Sequence, residues 1–574
     1  MKFIFQEKTF KDNSSKESGN RFFIMVMVAV LCLQLAALFY YGNQKAGFHE
    51  DELYTYYSTN KTAGLFVNDR QWMERDELRN DFVVLPGEQF RYHIVKQMQS
   101  WDVHPPMYYY IFHTVCSLFP GVFDKWLGIG VNMAAYVLCY MLLAYGVYTA
   151  SSGQKDEQKR KGRFLALLTC LFWGFSGAVI SGVMFIRMYQ WLTLFVLLCM
   201  DLHLRALKKK DFGAVHFLLP IGITVFLGFL TQYYYIIFHF FLGAGFCLYL
   251  LKNKKIKELF SYVVACGLGL LGAILYYPAS LSHIFRGYRG TEAVSEFGDM
   301  SNTWERLRFF YGLFDDFVMN GSLSGWLLVL CLLAVTAGYF RKRRNGKSRI
   351  NSSVVLILFA CGGYFFTISK TALLLGETSN RYQLPIYGLI VFLLLYGMWT
   401  MDEELAALLA ERRKDGLAAG KFLAEKFAKT SDFPEKRREW IMAAVLAVIL
   451  VLTDALALKN GRVFFLYEEE KEIMEFVKAH RQEPVVVFYN EASSDNIWRL
   501  SDELMEYPRV YLASQGNKEP IEDEVLLGSE SLLAYVADYE DKEACLERLV
   551  EENNNLSSWR VVAEKGLWTL YEVD

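Results

Sequence analysis

The sequence predicts a polytopic α-helical membrane protein with about eleven transmembrane helices, interfacial helices in its first outer loop and a small C-terminal α/β domain. Hydrophobic residues occupy 53% of the 574 positions. They gather in blocks that approach the roughly 20 apolar residues needed to span a hydrocarbon core. A soluble chain of this length would instead distribute them over about two to four domains.

The first apolar block follows a polar, Lys-rich segment, 1–21, that we expect in the cytoplasm. The block at 22–42 is longer than the apolar part of a signal peptide and lacks a small-residue cleavage site, which predicts a retained first span. The further predicted spans are 126–150, 164–182, 185–206, 213–230, 233–251, 258–277, 323–340, 352–372, 383–400 and 440–458.

Basic clusters set the predicted orientation. They lie at 155–163, 205–210, 252–257, 341–348 and 412–438. Basic loops favour the cytoplasmic side of a membrane. If the N-terminus is inside, eleven spans place every cluster inside and the C-terminal region outside, in a multi-pass protein of the cell membrane.

One apolar segment, 105–119, is left out of the spans. Counting it would place the 155–163 cluster outside. The segment is also short and begins at Pro105 and Pro106, which suit the start of a helix. We therefore predict an interfacial or re-entrant helix that begins and ends outside.

These spans divide the chain into a membrane domain and a soluble domain. The tail contains runs typical of strands at 485–489, 509–514, 532–536 and 559–573, and of helices at 495–506 and 540–553. The predicted division is a membrane domain at 22–400 with outer loops at 43–125 and 278–322, a cytoplasmic amphipathic segment at 401–439, a last span at 440–458 and an outer α/β domain at 459–574.

Charge and cysteine content narrow the function classes. The net charge is −2, and no basic patch interleaved with aromatic residues suggests a nucleic-acid partner. Nine of the ten cysteines fall in apolar segments and only Cys545 lies in the polar tail. A single cysteine there forms no disulfide framework.

Acidic residues frame the first outer loop at membrane level. The loop begins with His49, Glu50, Asp51 and Glu52, followed by a Tyr-rich stretch. A carboxylate held against apolar surface can be tuned as a general base, whereas a solvated loop start is the simpler interpretation. The loop ends at Asp102 and His104, which could equally be a helix cap and an interface residue. Together the two turns could line a cavity open to the outer leaflet.

Cations also gather on the predicted outer face. A basic residue there opposes the usual charge bias, and an anionic lipid head group would explain several of them. Arginine binds phosphate bidentately. Snorkelling or ion pairing within the loops is the competing explanation. The basic residues are Arg187, His283, Arg286, Arg289, Lys370 and Arg381. Tyr189, Glu377 and Tyr382 lie beside them in the sequence.

In this order, the motifs resemble the GT-C membrane glycosyltransferases, specifically the branch of protein O-mannosyltransferases and aminoarabinose transferases. The resemblance covers roughly residues 20–400. The matching motifs are Asp51-Glu52, Asp102-x-His104-Pro105-Pro106, Arg187-Met188-Tyr189, Thr231-Gln232-Tyr233-Tyr234 and Arg381-Tyr382-x-Leu384-Pro385.

The resemblance implies transfer of a sugar from a polyprenyl-phosphate donor to an acceptor hydroxyl on the outer face, with inversion at the anomeric carbon. It implies that Asp51 is the general base, and that Arg187 and Arg381 neutralise the leaving phosphate. His104 would lie near the donor phosphate. The remaining implied site residues are Glu52 and Asp102, which would shape the site or orient the acceptor, with Tyr189, Arg286, Arg289 and Tyr382 on the substrate-binding side.

Two positions depart from the family pattern. Phe185 stands where the family commonly has an acid, and Gln232 stands where related sequences often have His. Both argue against a required metal, although His49, Glu50, Asp51 and Asp102 could hold a divalent cation. The sequence does not identify the sugar that is transferred. It also does not identify the acceptor, which could be a protein, a lipid or a cell-wall polymer.

Two other functions compete with sugar transfer. A transporter or flippase for a lipid-linked glycan would place charged groups within the spans, near the membrane midplane. The predicted spans carry almost none, and the charges collect at one face. A non-catalytic scaffold that presents the tail would explain the tail but not the ordered loop residues.

Overall fold

The computed structural model describes residues 14–61, 67–342, 351–414 and 435–574 and shows a helical membrane bundle with a C-terminal sheet domain. Within these ranges eight helices are long and apolar enough to cross a membrane. The eight are Asn20–Gln44 (in a helix that begins at Ser14), Lys125–Ser151, Tyr189–Lys209, Ala214–Thr231, Tyr235–Lys252, Ile256–Tyr276, Ser352–Thr371 and Leu384–Ala406 (in a helix that ends at Lys414).

The other predicted spans are also helical. The span at 164–182 is a pair of helices, Asp156–Phe175 and Gly177–Met184, bent by 58°. The spans predicted at 323–340 and 440–458 correspond to helices Leu323–Lys342 and Glu435–Lys459, which are not among the eight helices that are long and apolar enough to cross a membrane in the described ranges. The predicted fold class, a polytopic helical membrane protein with a small C-terminal sheet domain, is confirmed.

The chain leaves helical geometry between Met184 and Tyr189, where sequence analysis placed the start of a span. Backbone groups freed inside a membrane protein need partners because water is scarce there. Buried Asn132 donates to the Phe185 carbonyl at 2.6 Å, and Glu52 accepts from the Ile186 amide at 2.8 Å. The break therefore depends on two buried polar side chains from other elements.

The first loop is largely helical. The predicted helix at 105–119 is observed at Met107–Leu118, a length of about 18 Å, which is too short to cross a bilayer. It buries Tyr108, Tyr109 and Phe112, and Phe112 packs edge-on against Tyr56. The other helices of this loop are Glu50–Asn60, Arg75–Asn80 and Tyr92–Trp101.

The second large loop, predicted at 278–322, is helical as well. Its helix Tyr288–Gly298 buries none of its residues. Helix Thr303–Phe317 is held by Arg306, which donates to the Ser369 carbonyl at 2.8 Å. The helices of this loop are Ala279–Phe285, Tyr288–Gly298 and Thr303–Phe317. The short connection between the helices Ser352–Thr371 and Leu384–Lys414 contains the 3-10 helix Gly376–Tyr382.

The tail folds into a six-stranded mixed sheet with helices. The central strands are buried throughout and pair in parallel, as near-continuous apolar strands do. The segment 559–573 forms a hairpin that turns at Gly566, where φ is +61°. In the order β1-β3-β2-β4-β6-β5, the strands are β1 Gln71–Glu74, β2 Val485–Tyr489, β3 Arg509–Ser514, β4 Leu532–Ala537, β5 Trp559–Lys565 and β6 Trp568–Val573.

The tail helices partly follow the predicted ones. The helix predicted at 540–553 is observed at Lys542–Glu552, and the one at 495–506 is a 3-10 helix followed by one short α-helical turn. The tail elements besides the strands are Glu470–Ala479, Glu491–Leu500, Ser501–Leu504, Glu524–Leu527 and Lys542–Glu552.

Strand β1 comes from the first loop and was not predicted. It pairs antiparallel with β3, more than 430 residues later in the sequence. Trp72 donates to Asp523 at 2.8 Å, and Arg75 donates to the Tyr507 carbonyl at 2.9 Å. The first loop and the tail therefore share one sheet.

The predicted segment 401–439 is described only in part. The helix that begins at Leu384 continues to Lys414, and residues 415–434 lie outside the described ranges. Two acids are buried within helices of the bundle, although the spans were expected to carry almost none. These are Asp201, and Asp454, which accepts from Asn320 at 3.4 Å.

A buried charge cluster joins the sheet to the segment that follows the last span. Lys565 lies 2.9 Å from Glu470, 3.3 Å from Asp502 and 2.8 Å from Glu503. Burial raises the pKa of the Glu470 carboxyl to about 7 despite the lysine beside it. Three acids thus depend on one ammonium group.

We predict that Lys565→Met destabilises the full-length protein by about 3–5 kcal/mol, because it leaves three buried carboxylates without their cation. Lys518→Met is the matched control, since Lys518 forms an exposed ion pair with Glu540 worth under about 1 kcal/mol. Urea unfolding in detergent, followed by tryptophan fluorescence, measures both. Equal losses in the two variants would contradict the assigned role of the cluster.

Candidate functional site

The site is built on the helix Glu50–Asn60, here called the site helix. Its first turn is closed by a reciprocal capping box. His49 Nδ1 accepts from the Asp51 amide at 3.0 Å, and the Glu52 carboxylate accepts from the His49 amide at 2.7 Å. The box fixes Asp51 in the first helical turn, where the positive end of the helix dipole favours a carboxylate.

Glu52 is fully buried and connects three parts of the chain. Its carboxylate accepts from Lys45 at 2.9 Å and from the Ile186 amide at 2.8 Å. Lys45 also donates to the Phe465 carbonyl at 2.6 Å. Burial raises the pKa of Glu52, and Lys45 opposes the rise. These contacts are those of a positioning residue, since the side chain does not reach open space.

Asp51 faces two arginines and keeps about a third of its side chain exposed. Its Oδ2 lies 3.0 Å from Arg381 Nη1, and its Oδ1 lies 3.9 Å from Arg187 Nη2. Burial opposes ionisation of Asp51, but Arg187 and then Arg381 outweigh it and hold its pKa below the usual range. The carboxylate is therefore ionised and paired.

Arg187 is fixed by partners on the chain. It lies in the helix break, 4% exposed. Its Nη1 donates to the Asp51 carbonyl at 3.2 Å and to Thr55 and Tyr109 hydroxyls at 3.1 Å each. Its Nη2 lies 3.1 Å from His104 Nε2. Four acceptors thus hold the guanidinium in one orientation.

The Asp102-His104 turn completes this network. Because arginine only donates, His104 Nε2 accepts from Arg187, which leaves a proton on Nδ1. That nitrogen lies 2.8 Å from Asp102 and donates to its carboxylate. Burial opposes ionisation of Asp102, but His104 lowers the pKa of Asp102 to about 2. Tyr277, which directly follows the helix Ile256–Tyr276, donates to the His104 carbonyl at 3.4 Å.

Arg381 lies in a cage of aromatic rings. Its guanidinium carbon is 5.0 Å from the ring centre of Phe185, 5.7 Å from that of Tyr189 and 5.2 Å from that of Tyr382. Such rings attract a cation while excluding water. Its Nη2 donates to the Tyr382 hydroxyl at 3.3 Å, and its Nε has no hydrogen-bond partner in the described parts of the chain.

The structure brings most of the predicted site residues together. The network joins Asp51, Asp102, His104, Arg187 and Arg381. Tyr189 and Tyr382 flank the network. Glu52 holds its backbone in place by accepting from the His49 and Ile186 amides. Arg286 and Arg289 are exposed on the second loop, and Arg289 pairs with Glu292 at 3.4 Å instead.

Several site residues were not singled out in the sequence. Thr55 and Tyr109 follow the predicted motifs closely, so their neighbourhood was the only signal for them. Lys45 precedes the acidic run by a few residues. Phe465 stacks on Phe185 with ring centres 4.0 Å apart, but it lies in the tail, and nothing in the local sequence links it to the first loop.

The residues named as possible cation ligands do not form a common site. Asp51 pairs with arginines, Glu50 with Arg499, and Asp102 with His104. His49 uses Nδ1 to cap the site helix. Across the described ranges, no group of three or more His, Cys, Asp or Glu side chains is arranged to hold a metal ion.

No protein-family model and no curated protein matches the chain. Among solved structures, the chain is similar to ArnT from Cupriavidus metallidurans. The crystal structure bound to undecaprenyl phosphate has a TM-score of 0.49 at 12% identity, covering 95% of this chain and 97% of that one. The structure in the apo state has a TM-score of 0.46 at 11% identity, covering 97% and 98%.

His49 generates a prediction about pH. Burial, reinforced by Arg381 and Arg187, lowers the pKa of His49 from 6.5 to about 4. Between pH 6.5 and pH 4, His49 is protonated in the unfolded chain but neutral in the folded protein. The free energy of unfolding therefore decreases as the pH falls from 6.5 towards 4. Above pH 6.5 this group contributes no pH dependence.

The variant His49→Asn keeps a side chain that can cap the helix. We predict that its free energy of unfolding falls by about 2 kcal/mol less than that of wild type when the pH is lowered from 7 to 5. Urea unfolding at the two pH values measures the difference. His480→Asn is the control, because His480 follows the tail helix Glu470–Ala479 and its ring nitrogen contacts the Phe476 carbonyl of that helix. A parallel pH dependence in His49→Asn and wild type would show that His49 is not the group responsible.

Proposed function

We propose that this protein is a GT-C-type inverting glycosyltransferase that moves a sugar from a polyprenyl-phosphate donor to an acceptor hydroxyl on the outer face of the membrane. The observation that supports this most directly is the pairing of Asp51 with two buried arginines, 3.0 Å and 3.9 Å away. One group can take a proton, and the two others can receive a phosphate.

The arginine pair suits a lipid phosphate. Guanidinium groups bind phosphate oxygens through two parallel N–H donors, and burial strengthens that interaction. Among the described residues, the Nε atoms of Arg381 and Arg187 have no hydrogen-bond partner, so each guanidinium keeps a donor for a phosphate oxygen. The ring cage also offers apolar surface for the first carbons of a lipid chain. A free inorganic phosphate would gain nothing from that surface.

The proposed step exchanges one bond at the anomeric carbon. The acceptor oxygen attacks this carbon as the bond to the lipid phosphate oxygen breaks, and the electron pair leaves with the phosphate. The hydroxyl proton passes to the Asp51 carboxylate. Arg381 and Arg187 stabilise the added negative charge on the departing phosphate, which is the electrostatic contribution to catalysis.

The supporting residues act through orientation. Asp102 keeps His104 in the tautomer that accepts from Arg187, and this leaves Arg187 with a fixed direction towards the site. Glu52 holds the site helix to the helix break through the Ile186 amide. Undecaprenyl phosphate, the lipid in the ArnT structure, is the probe for the donor site; the sugar and the acceptor stay to be identified.

We predict that Arg381→Gln weakens binding of undecaprenyl phosphate by roughly ten- to a hundredfold, because it removes one of the two guanidinium groups proposed to bind the phosphate. Calorimetric titration of the purified protein in detergent measures the dissociation constant. The matched control is Arg499→Gln, since Arg499 also pairs with an acid of the site helix, Glu50, but lies outside the ring cage. Unchanged affinity in Arg381→Gln would rule out the phosphate role.

We predict that Asp51→Asn lowers sugar transfer by at least about a hundredfold while the protein is still expressed and folded, because the proton acceptor is lost. Labelled polyprenyl-phosphate sugars are incubated with the protein in vesicles, and candidate acceptors are analysed by mass spectrometry. Glu50→Gln removes the same charge one residue earlier and serves as the control. Full activity in Asp51→Asn would refute the base assignment.

A further inference from the structure

Arg381 has one contact that a ligand could replace. Its Nη1 points at Asp51 Oδ2 at 3.0 Å, and its Nη2 donates to Tyr382 at 3.3 Å. Its Nε has no partner among the described residues. Tyr382 is the next residue in the chain, and its side chain is buried beside Arg381. Asp51 is therefore the exchangeable partner, and its carboxylate occupies a position that a phosphate oxygen would take.

Arg187 has more hydrogen-bond partners on its Nη atoms than Arg381, although its Nε also has none among the described residues. It donates to a backbone carbonyl, two hydroxyls and the His104 ring. Asp51 is 3.9 Å away from it, beyond hydrogen-bond distance. Arg187 thus stays in place whether or not Asp51 moves, and it supplies a constant positive charge. Arg381 is the guanidinium whose anion can change.

The charges of the site balance before any ligand binds. Arg187 and Arg381 carry two positive charges, Asp51 and Asp102 carry two negative ones, and His104 is neutral in the tautomer derived above. A polyprenyl-phosphate sugar brings one further negative charge. Two anions against the same edge of Arg381 repel each other, and such juxtaposition costs several kcal/mol at a buried contact. Binding of the phosphate therefore requires Asp51 to withdraw.

Withdrawal of Asp51 has a chemical consequence. While paired, its basicity is suppressed by the arginines, and a carboxylate separated from a cation regains affinity for a proton. The side chain has an open direction, because about 30% of it is exposed. Its backbone stays fixed through the capping box, so only side-chain rotation is needed.

We propose that the donor phosphate displaces Asp51 from Arg381, and that this exchange releases the carboxylate to act as base only when the donor is bound. The inference rests on the proposed function and adds the order of events. Donor binding precedes activation of the acceptor, and the empty site holds its base in an inactive ion pair.

The test compares undecaprenyl phosphate binding to wild type, Asp51→Asn and Glu50→Gln by calorimetric titration of the full-length protein. Because the competing anion is gone, Asp51→Asn is expected to bind roughly tenfold more tightly than wild type. Glu50→Gln, with the same loss of charge, is expected to stay within about threefold, since Glu50 pairs with Arg499 instead. Asp51→Ser gives the same comparison if the Asn variant fails to fold.

A double-mutant cycle places the effect on Arg381. In the Arg381→Gln background, changing Asp51 to Asn is expected to leave the affinity unchanged. Tightening that persists there, or an Asp51→Asn protein that binds no more tightly than wild type, would overturn the exchange while leaving the donor assignment intact. A wild-type protein that does not bind undecaprenyl phosphate at all would overturn the donor assignment itself, and the exchange with it.

Discussion

The break in helical backbone between Met184 and Tyr189 needs hydrogen-bond partners, and the buried Glu52 carboxylate supplies one of them. An amide left without a partner inside a membrane protein would cost several kcal/mol. The same carboxylate closes the capping box of the site helix and pairs with Lys45. One buried acid therefore sets where Asp51 and Arg187 stand relative to each other, because Asp51 is its neighbour in the chain and Arg187 follows Ile186, whose amide it binds.

The site brings two arginines and two carboxylates close together, and the two arginines are held by different kinds of partner. Arg187 is held by four acceptors, whereas Arg381 is held chiefly by rings and by Asp51. The difference gives the two arginines separate roles: the first is a fixed charge and the second can exchange its anion. Phe185 provides one of the rings around Arg381.

The tail is part of this arrangement rather than an appendage of the membrane domain. Strand β1 of the first loop completes its sheet, Phe465 packs on Phe185, and Lys45 donates to the Phe465 carbonyl. Arg499 of the tail also pairs with Glu50 of the site helix. The tail therefore contacts the first turn of the site helix directly, one residue from Asp51.

The sequence by itself determined the membrane class, the positions of most long apolar helices, most tail strands and the principal ionisable groups, because hydrophobic block length and strand composition are local properties of the chain. Only the tertiary structure decided which charges meet. The contacts of Asp51 with Arg381, of Glu52 with Ile186 and of β1 with β3 join residues 134 to more than 430 positions apart. Arg286 and Arg289 were predicted to bind substrate because arginine suits a phosphate site, but the fold leaves both side chains exposed on the second loop. Long-range pairing depends on how helices and loops pack, and no local pattern records it.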